Sequence, residues 1–120
     1  MGARILVVDD EEIVIKSYLR ILGDGDYEVE AAYGGREALR KVEENPYDVI
    51  ILDIMMPDMD GLEVLRRTRS HPDLDIIIVT GLPQNATVAE AKKIGASDYL
   101  SKPFEPDELK LIVQRALGRR

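Results

Sequence analysis

Five residues spread along the 120-residue chain have side chains suited to divalent metals and phosphate: Asp9, Asp10, Asp53, Thr80 and Lys102. Carboxylate oxygens are hard ligands that suit Mg²⁺, an ion that keeps several waters and takes only one or two carboxylates from a protein. A carboxylate can also act as a nucleophile and become an aspartyl phosphate. In-line transfer of a phosphoryl group needs positive charge on its equatorial oxygens, which a metal ion and an ammonium group supply. With Asp9, Asp10 and Asp53 ionised, the charges of Mg²⁺ and Lys102 together balance the set. Transfer would then add about one net negative charge, since the phosphoryl group brings roughly −2 and the acylated aspartate loses its own. The Thr80 hydroxyl could donate to one of the new oxygens.

Taken singly, each residue has an ordinary explanation. An aspartate or threonine after a strand is commonly a turn former or helix cap, and a lone lysine is commonly solvated. The conjunction is different. Crowded carboxylates repel one another and cost stability unless a cation compensates.

Whether these residues meet depends on the elements that carry them. Ile5-Leu6-Val7-Val8, Val49-Ile50-Ile51-Leu52 and Ile76-Ile77-Ile78-Val79 are short, continuous apolar runs. Such runs suit strands covered on both faces of a parallel sheet. Glu28-Val29-Glu30-Ala31 and Asp98-Tyr99-Leu100-Ser101 are weaker strands that suit positions at or near the edges. Helical spacing fills the intervals: Ile15, Tyr18, Leu19 and Leu22; Ala38, Leu39 and Val42; Leu62, Leu65 and the stem of Arg66; Val88, Ala91 and Ile94; Leu109, Ile112, Val113 and Ala116. Gly23, Asn45-Pro46, His71-Pro72 and Gly95 provide the stops, and Pro106 sits in the first turn of the last helix. Glu11 and Glu12 add acidity next to the Asp9-Asp10 pair and favour the start of the first helix, and Arg119 and Arg120 complement the negative end of the last helix's dipole. Five β-α units in this order predict an α/β fold, a parallel sheet with right-handed crossovers and helices on both faces. Ligands in such sheets lie at the carboxyl ends of the strands. Asp9-Asp10, Asp53, Thr80-Gly81 and Lys102-Pro103 all follow or end strands, so they converge on one edge.

The segments ILVVDDE (5–11), DVIILDIMMPDMDGLEVL (48–65), IIIVTG (76–81) and GASDYLSKPF (95–104) resemble the receiver domain of bacterial two-component response regulators, over essentially the whole chain (1–120). The resemblance implies a flavodoxin-like (βα)5 doubly wound sandwich with strand order 2-1-3-4-5. It implies Asp53 as phosphoacceptor, and Mg²⁺ held by Asp10 directly, by Asp9 through water and by the backbone carbonyl of Met55. It makes Thr80 the switch hydroxyl, Tyr99 the aromatic that follows it, and Lys102 the cation that holds a phosphoryl oxygen. It places a cis bond before Pro103, and gives Pro57 and Gly61 the shaping of the loop after Asp53. The implied partner is a sensor histidine kinase or phosphotransfer protein, with a homodimer possible through the fourth helix, fifth strand and fifth helix. The chain would catalyse its own phosphorylation and slow dephosphorylation without being a conventional enzyme. No output domain or effector is legible.

Composition narrows the alternatives. The net charge of −7 disfavours direct nucleic-acid binding. There is no cysteine, so a disulfide framework or thiolate metal site is impossible. No apolar run reaches the roughly 18 residues that span a bilayer. No signal-peptide pattern precedes Ile5, and a cytoplasmic location is expected. A haloacid dehalogenase-type phosphatase would need its nucleophile after the first strand and a second aspartate two residues on. A flavodoxin-like cofactor binder would need a phosphate loop where Asp9 to Glu12 stand. An interaction module on the same fold that needs no phosphorylation would not require the whole acidic set. Met55, Met56 and Met59 are expected to pack within their loop, and His71 to play no part in the chemistry.

Overall fold

The β-branched runs form the centre of a parallel sheet in the computed structural model, which describes residues 2–23, 25–81 and 85–118. The strands are β1 (Ala3–Val8), β2 (Tyr27–Ala32), β3 (Val49–Asp53), β4 (Asp75–Thr80) and β5 (Asp98–Ser101). They alternate with α1 (Glu12–Leu22), α2 (Gly35–Glu44), α3 (Gly61–Thr68), α4 (Asn85–Ile94) and α5 (Pro106–Gly118). The strand order is β2-β1-β3-β4-β5, all parallel, so the chain has the flavodoxin-like topology and its two weakest strands are the edges. Arg119 and Arg120, expected to complement the last helix's dipole, lie outside the described residues.

Alternation along the three central strands divides the core in two, because successive side chains point to opposite faces. Leu6, Val8, Ile50, Leu52, Ile76 and Ile78 face Ala38, Val42, Val64, Leu65 and Ala91 of α2, α3 and α4. Ile5, Val7, Val49, Ile51, Ile77 and Val79 face Ile15, Tyr18, Leu22, Leu109, Ile112 and Val113 of α1 and α5. Both faces of these strands are therefore dry, which explains why their sequences are continuous rather than alternating. Each such burial is worth about 1.5–3 kcal/mol, which makes this triple of strands the most secure part of the molecule.

Three helical stripes differ from the sequence expectation. In α1, Ile21 is buried and Leu19 is exposed. In α3 the buried residues are Gly61, Val64, Leu65 and Thr68, while Leu62 is partly buried and Arg66 turns outward to Glu63 and Glu90. The small Gly61 and the hydroxyl of Thr68 hide this face from a hydropathy reading; Thr68 satisfies its oxygen on the carbonyls of Val64 and Leu65. In α4 Ala91 is the only fully buried side chain among the described residues, with Val88 and Ile94 partly exposed.

The helix ends follow local chemistry. Asp60 caps α3 by accepting the Leu62 amide at 3.0 Å. Gly95, with φ of 142°, turns the chain out of α4, and the amides of Gly95 and Ala96 both donate to the Ala91 carbonyl. Gly23 ends α1 in right-handed geometry (φ −67°), where a Cβ would stand 2.5 Å from the Leu19 carbonyl oxygen.

Candidate functional site

Register decides which strand ends are neighbours. Val8 pairs with Leu52, so Asp9, the residue after β1, lies beside Asp53 at the end of β3. Asp53 pairs with Val79, which places Thr80 one residue further along the adjoining strand. Thr80 pairs with Ser101, and the Lys102 amide donates to the Thr80 carbonyl at 2.9 Å. Four strands thus deliver Asp9, Asp53, Thr80 and Lys102 to one edge.

The side chains meet there. Lys102 Nζ lies 2.6 Å from Asp9 Oδ2, 3.1 Å from Asp53 Oδ2 and 3.8 Å from Glu11 Oε1. The contact to Asp53 is a hydrogen bond, and the shorter contact to Asp9 is a buried ion pair. Asp9 is fully buried, Asp53 and Thr80 nearly so, and Asp10 is exposed at the mouth. Asp9 Oδ1 accepts the Glu11 amide at 2.9 Å, and Asp53 Oδ1 accepts the Met55 amide at 3.0 Å. Each aspartate is therefore held by the backbone of the loop that follows it.

Burial pushes the Asp53 carboxyl above its ordinary range, and the nearby charge of Asp9 adds to this. The Met55 amide and the Lys102 ammonium oppose the rise without cancelling it. For Lys102, burial favours the neutral amine, but the carboxylates of Asp9 and Asp53 outweigh it and hold the group above its ordinary value. Burial, and then the charges of Asp9 and Asp53, also push the Tyr18 hydroxyl upward, which places this core tyrosine within reach of the field beneath the acids.

Asp9, Asp10 and Asp53 each offer a carboxylate oxygen within 4.8 Å of the others, a spacing one cation can span. All three donors are hard oxygens, and Asp9 Oδ2 is buried against the Lys102 ammonium. That donor set fits Mg²⁺.

A family profile described as Response regulator receiver domain matches residues 5–114. The chain belongs to that family. This receiver domain is 46% identical to the response regulator MprA of Mycolicibacterium vanbaalenii over 121 residues, covering all of this chain and 52% of that protein. It spans from a quarter to about half the length of the curated relatives it matches. Among solved structures, a CheY-like receiver domain protein from Methanospirillum hungatei JF-1 superposes with a TM-score of 0.95 at 32% identity, over 99% of this chain and 96% of that one. The BeF3-activated receiver domain of DrrB gives 0.89 at 32% identity, over 98% and 99%. Among the described residues, no helix is long and apolar enough to cross a membrane.

The remaining sequence candidates fall around the acids. Gly61 sits where a Cβ would lie 2.2 Å from the Ile54 backbone, so glycine lets the start of α3 close over the end of β3. The Lys102–Pro103 bond is cis. Tyr99 points outward, 39% exposed, with Lys92 Nζ 5.6 Å from its ring centroid. Of the three methionines expected to pack in the loop, Met56 is buried and Met59 partly so, but Met55 is 65% exposed: its amide turns in to Asp53 and its side chain turns out. His71 lies at the opposite end of the sheet, 3.2 Å from Glu43.

Glu11, in the sequence an acid beside the Asp9-Asp10 pair and a helix starter, faces Lys102. One contributor went unnoticed in the sequence. Asp58 accepts the amides of Gly35 and Arg36 at 3.1 and 3.3 Å, tying the loop after β3 to the start of α2, and these bonds hold its carboxyl below its usual range. Glu11 was detectable as an acid two residues from Asp9. Asp58 carried no signal, because its partners lie more than twenty residues away.

Proposed function

We propose that residues 1–120 form a phosphorylation-driven switch in which Asp53 accepts a phosphoryl group from a phosphohistidine of the cognate kinase or a phosphotransfer protein. The observation that carries this reading is the Lys102 ammonium held between Asp9 and Asp53, with Asp10 completing an acidic set. An Asp53 carboxylate oxygen attacks phosphorus as the P–N bond to the donor imidazole breaks, and the bonding pair leaves with the imidazole nitrogen. Asp9, Asp10, Asp53 and the Met55 carbonyl would hold Mg²⁺. The bound ion supplies positive charge to the acids and to the phosphoryl oxygens.

Lys102 then exchanges its bond to the ionised Asp53 for one to a phosphoryl oxygen. The Thr80 hydroxyl donates to another, and its movement opens space for the Tyr99 ring. Thr80 and Tyr99 suit this role because they stand on adjacent paired strands, with Tyr99 opposite Ile78. A partner that binds one Tyr99 arrangement better than the other reads the state. The surface of α4, β5 and α5 that carries Tyr99 is the proposed output and dimer face. Slow attack by water on phosphorus breaks the P–O bond to Asp53, which releases inorganic phosphate and restores the carboxylate. The setting proposed is the cytoplasm, with no direct nucleic-acid contact by this domain.

The test is incubation with acetyl phosphate or beryllofluoride, with and without Mg²⁺. A phosphoryl adduct mapped to Asp53 by mass spectrometry, dependent on Mg²⁺ and absent in Asp53→Asn, is expected. An adduct at another residue, or one indifferent to the metal, overturns the reading.

A further inference from the structure

The loop that aims Lys102 has one inward anchor. Its backbone is fixed at one end by the Lys102 amide on the Thr80 carbonyl, and at the other by the Glu105 amide on Glu108 Oε1 at 2.8 Å. Between them Pro103 is exposed, and from Glu105 to Glu108 every residue is exposed. Phe104, the only phenylalanine of the chain, is the single residue from Pro103 to Glu108 that packs against the core. It rests on Tyr18 of α1, with ring centroids 5.3 Å apart and planes inclined by 22°.

Tyr18 is fully buried, and its hydroxyl has no hydrogen-bond partner among the described residues. A phenylalanine would fill the same space without burying an unpaired oxygen, so ring volume and ring geometry are what this position supplies. The ring sits in the cluster that underlies β1 and β3, the strands carrying Asp9 and Asp53. α1 itself follows the Asp9-Asp10 pair within two residues.

We propose that Tyr18, through its stack on Phe104, is a positioning residue for Lys102. The stack fixes the height of the 102–105 segment above the sheet, and hence the reach of the ammonium to Asp9 and Asp53. Leucine at position 18 keeps the core apolar but offers no flat face, so the segment settles elsewhere and Lys102 loses its shared position between the acids. None of the metal donors lies on that segment. This inference rests on the reading that Lys102 assists transfer to Asp53.

The test uses acetyl phosphate, which needs no protein docking, at saturating Mg²⁺. Tyr18→Leu is expected to slow phosphorylation of Asp53 about tenfold, with Mg²⁺ bound at least as tightly as by the wild type, since the competing ammonium has moved away. Tyr18→Phe, which keeps the stack, is expected to retain the wild-type rate. Phe104→Leu, at a partly exposed position, repeats the loss from the other side of the stack should Tyr18→Leu fold poorly. In a Lys102→Ala background, neither leucine substitution is expected to slow the reaction further. An equal slowing with and without Lys102 overturns the inference, because the effect would then be general to the fold. A normal rate for Tyr18→Leu overturns it as well. A normal rate for Lys102→Ala alone removes the premise, and marks the failure as one of the proposed role of Lys102.

Discussion

The ammonium of Lys102 approaches Asp9 to 2.6 Å, closer than the 3.1 Å that separates it from Asp53. The lysine therefore neutralises the buried member of the adjacent acidic pair as well as the residue proposed to react. It supplies the countercharge that lets two shielded carboxylates coexist, and it competes with any cation entering from the Asp10 side.

Lys102→Ala is expected to have opposite effects on fold and metal. With its countercharge gone, the chain in the presence of a chelator should lose about 1–3 kcal/mol of stability, read by urea unfolding. Mg²⁺ should bind roughly tenfold more tightly, read by calorimetry, since a like charge has left the site. Weaker Mg²⁺ binding in the variant would show that the two cations do not compete.

Asp53→Asn is expected to stabilise the metal-free domain at neutral pH by about 1 kcal/mol. The sign follows from the raised Asp53 carboxyl. An acid whose folded value lies above its unfolded one penalises the fold while ionised, and the penalty fades as pH falls through the folded value. The advantage of the variant should therefore shrink on acidification and vanish once Asp53 is protonated in both states. A gain that grows with acidity would contradict this.

Mg²⁺ at about a hundredfold excess over its dissociation constant should add about 2.7 kcal/mol to the unfolding free energy. For a domain of this size that corresponds to a thermal midpoint higher by roughly 10 °C. Because Asp10 is exposed, Asp10→Asn should barely move the metal-free midpoint while removing most of the Mg²⁺-dependent rise. Scanning calorimetry with and without the ion distinguishes the two effects.

Two glycines near the site should respond in opposite ways to alanine. At Gly61 the new methyl would stand 2.2 Å from the Ile54 backbone, and a loss of about 3 kcal/mol or more is expected. At Gly81 nothing among the described residues lies within 4 Å of the new atom, and a change within about 0.5 kcal/mol is expected. Chemical unfolding of the pair checks both, and a tolerant Gly61 would mean that the start of α3 can shift away from β3.

The central strands were legible because burial on both faces leaves a signature within one segment: Val49 to Leu52 is apolar at every position. The edges were legible for the converse reason, Glu28 and Glu30 marking β2 as half-wet. Helix faces were read less well wherever small or hydroxylated residues took core positions, as Gly61 and Thr68 do in α3. The members of the candidate site were nameable because each sits at the end of a recognisable strand. Their unequal exposure was not, since neighbouring residues such as Asp9 and Asp10 leave the strand in different directions. Also hidden was the cluster in which Arg4 and Tyr47 both bond Glu30, because it joins residues from three separate stretches of the chain. There burial, and then the bond to Glu30, push the Tyr47 phenol up to about 12.

The three dry strands have a mechanical implication. Their amides open to solvent only when the whole domain does, so hydrogen exchange should be slowest from Ile5 to Val8, Ile50 to Asp53 and Ile77 to Val79. Asp9, Asp53 and Thr80 thus stand at the rim of a floor that does not yield. Whatever rearrangement accompanies a change of charge there must be taken up by the connections leading away from it.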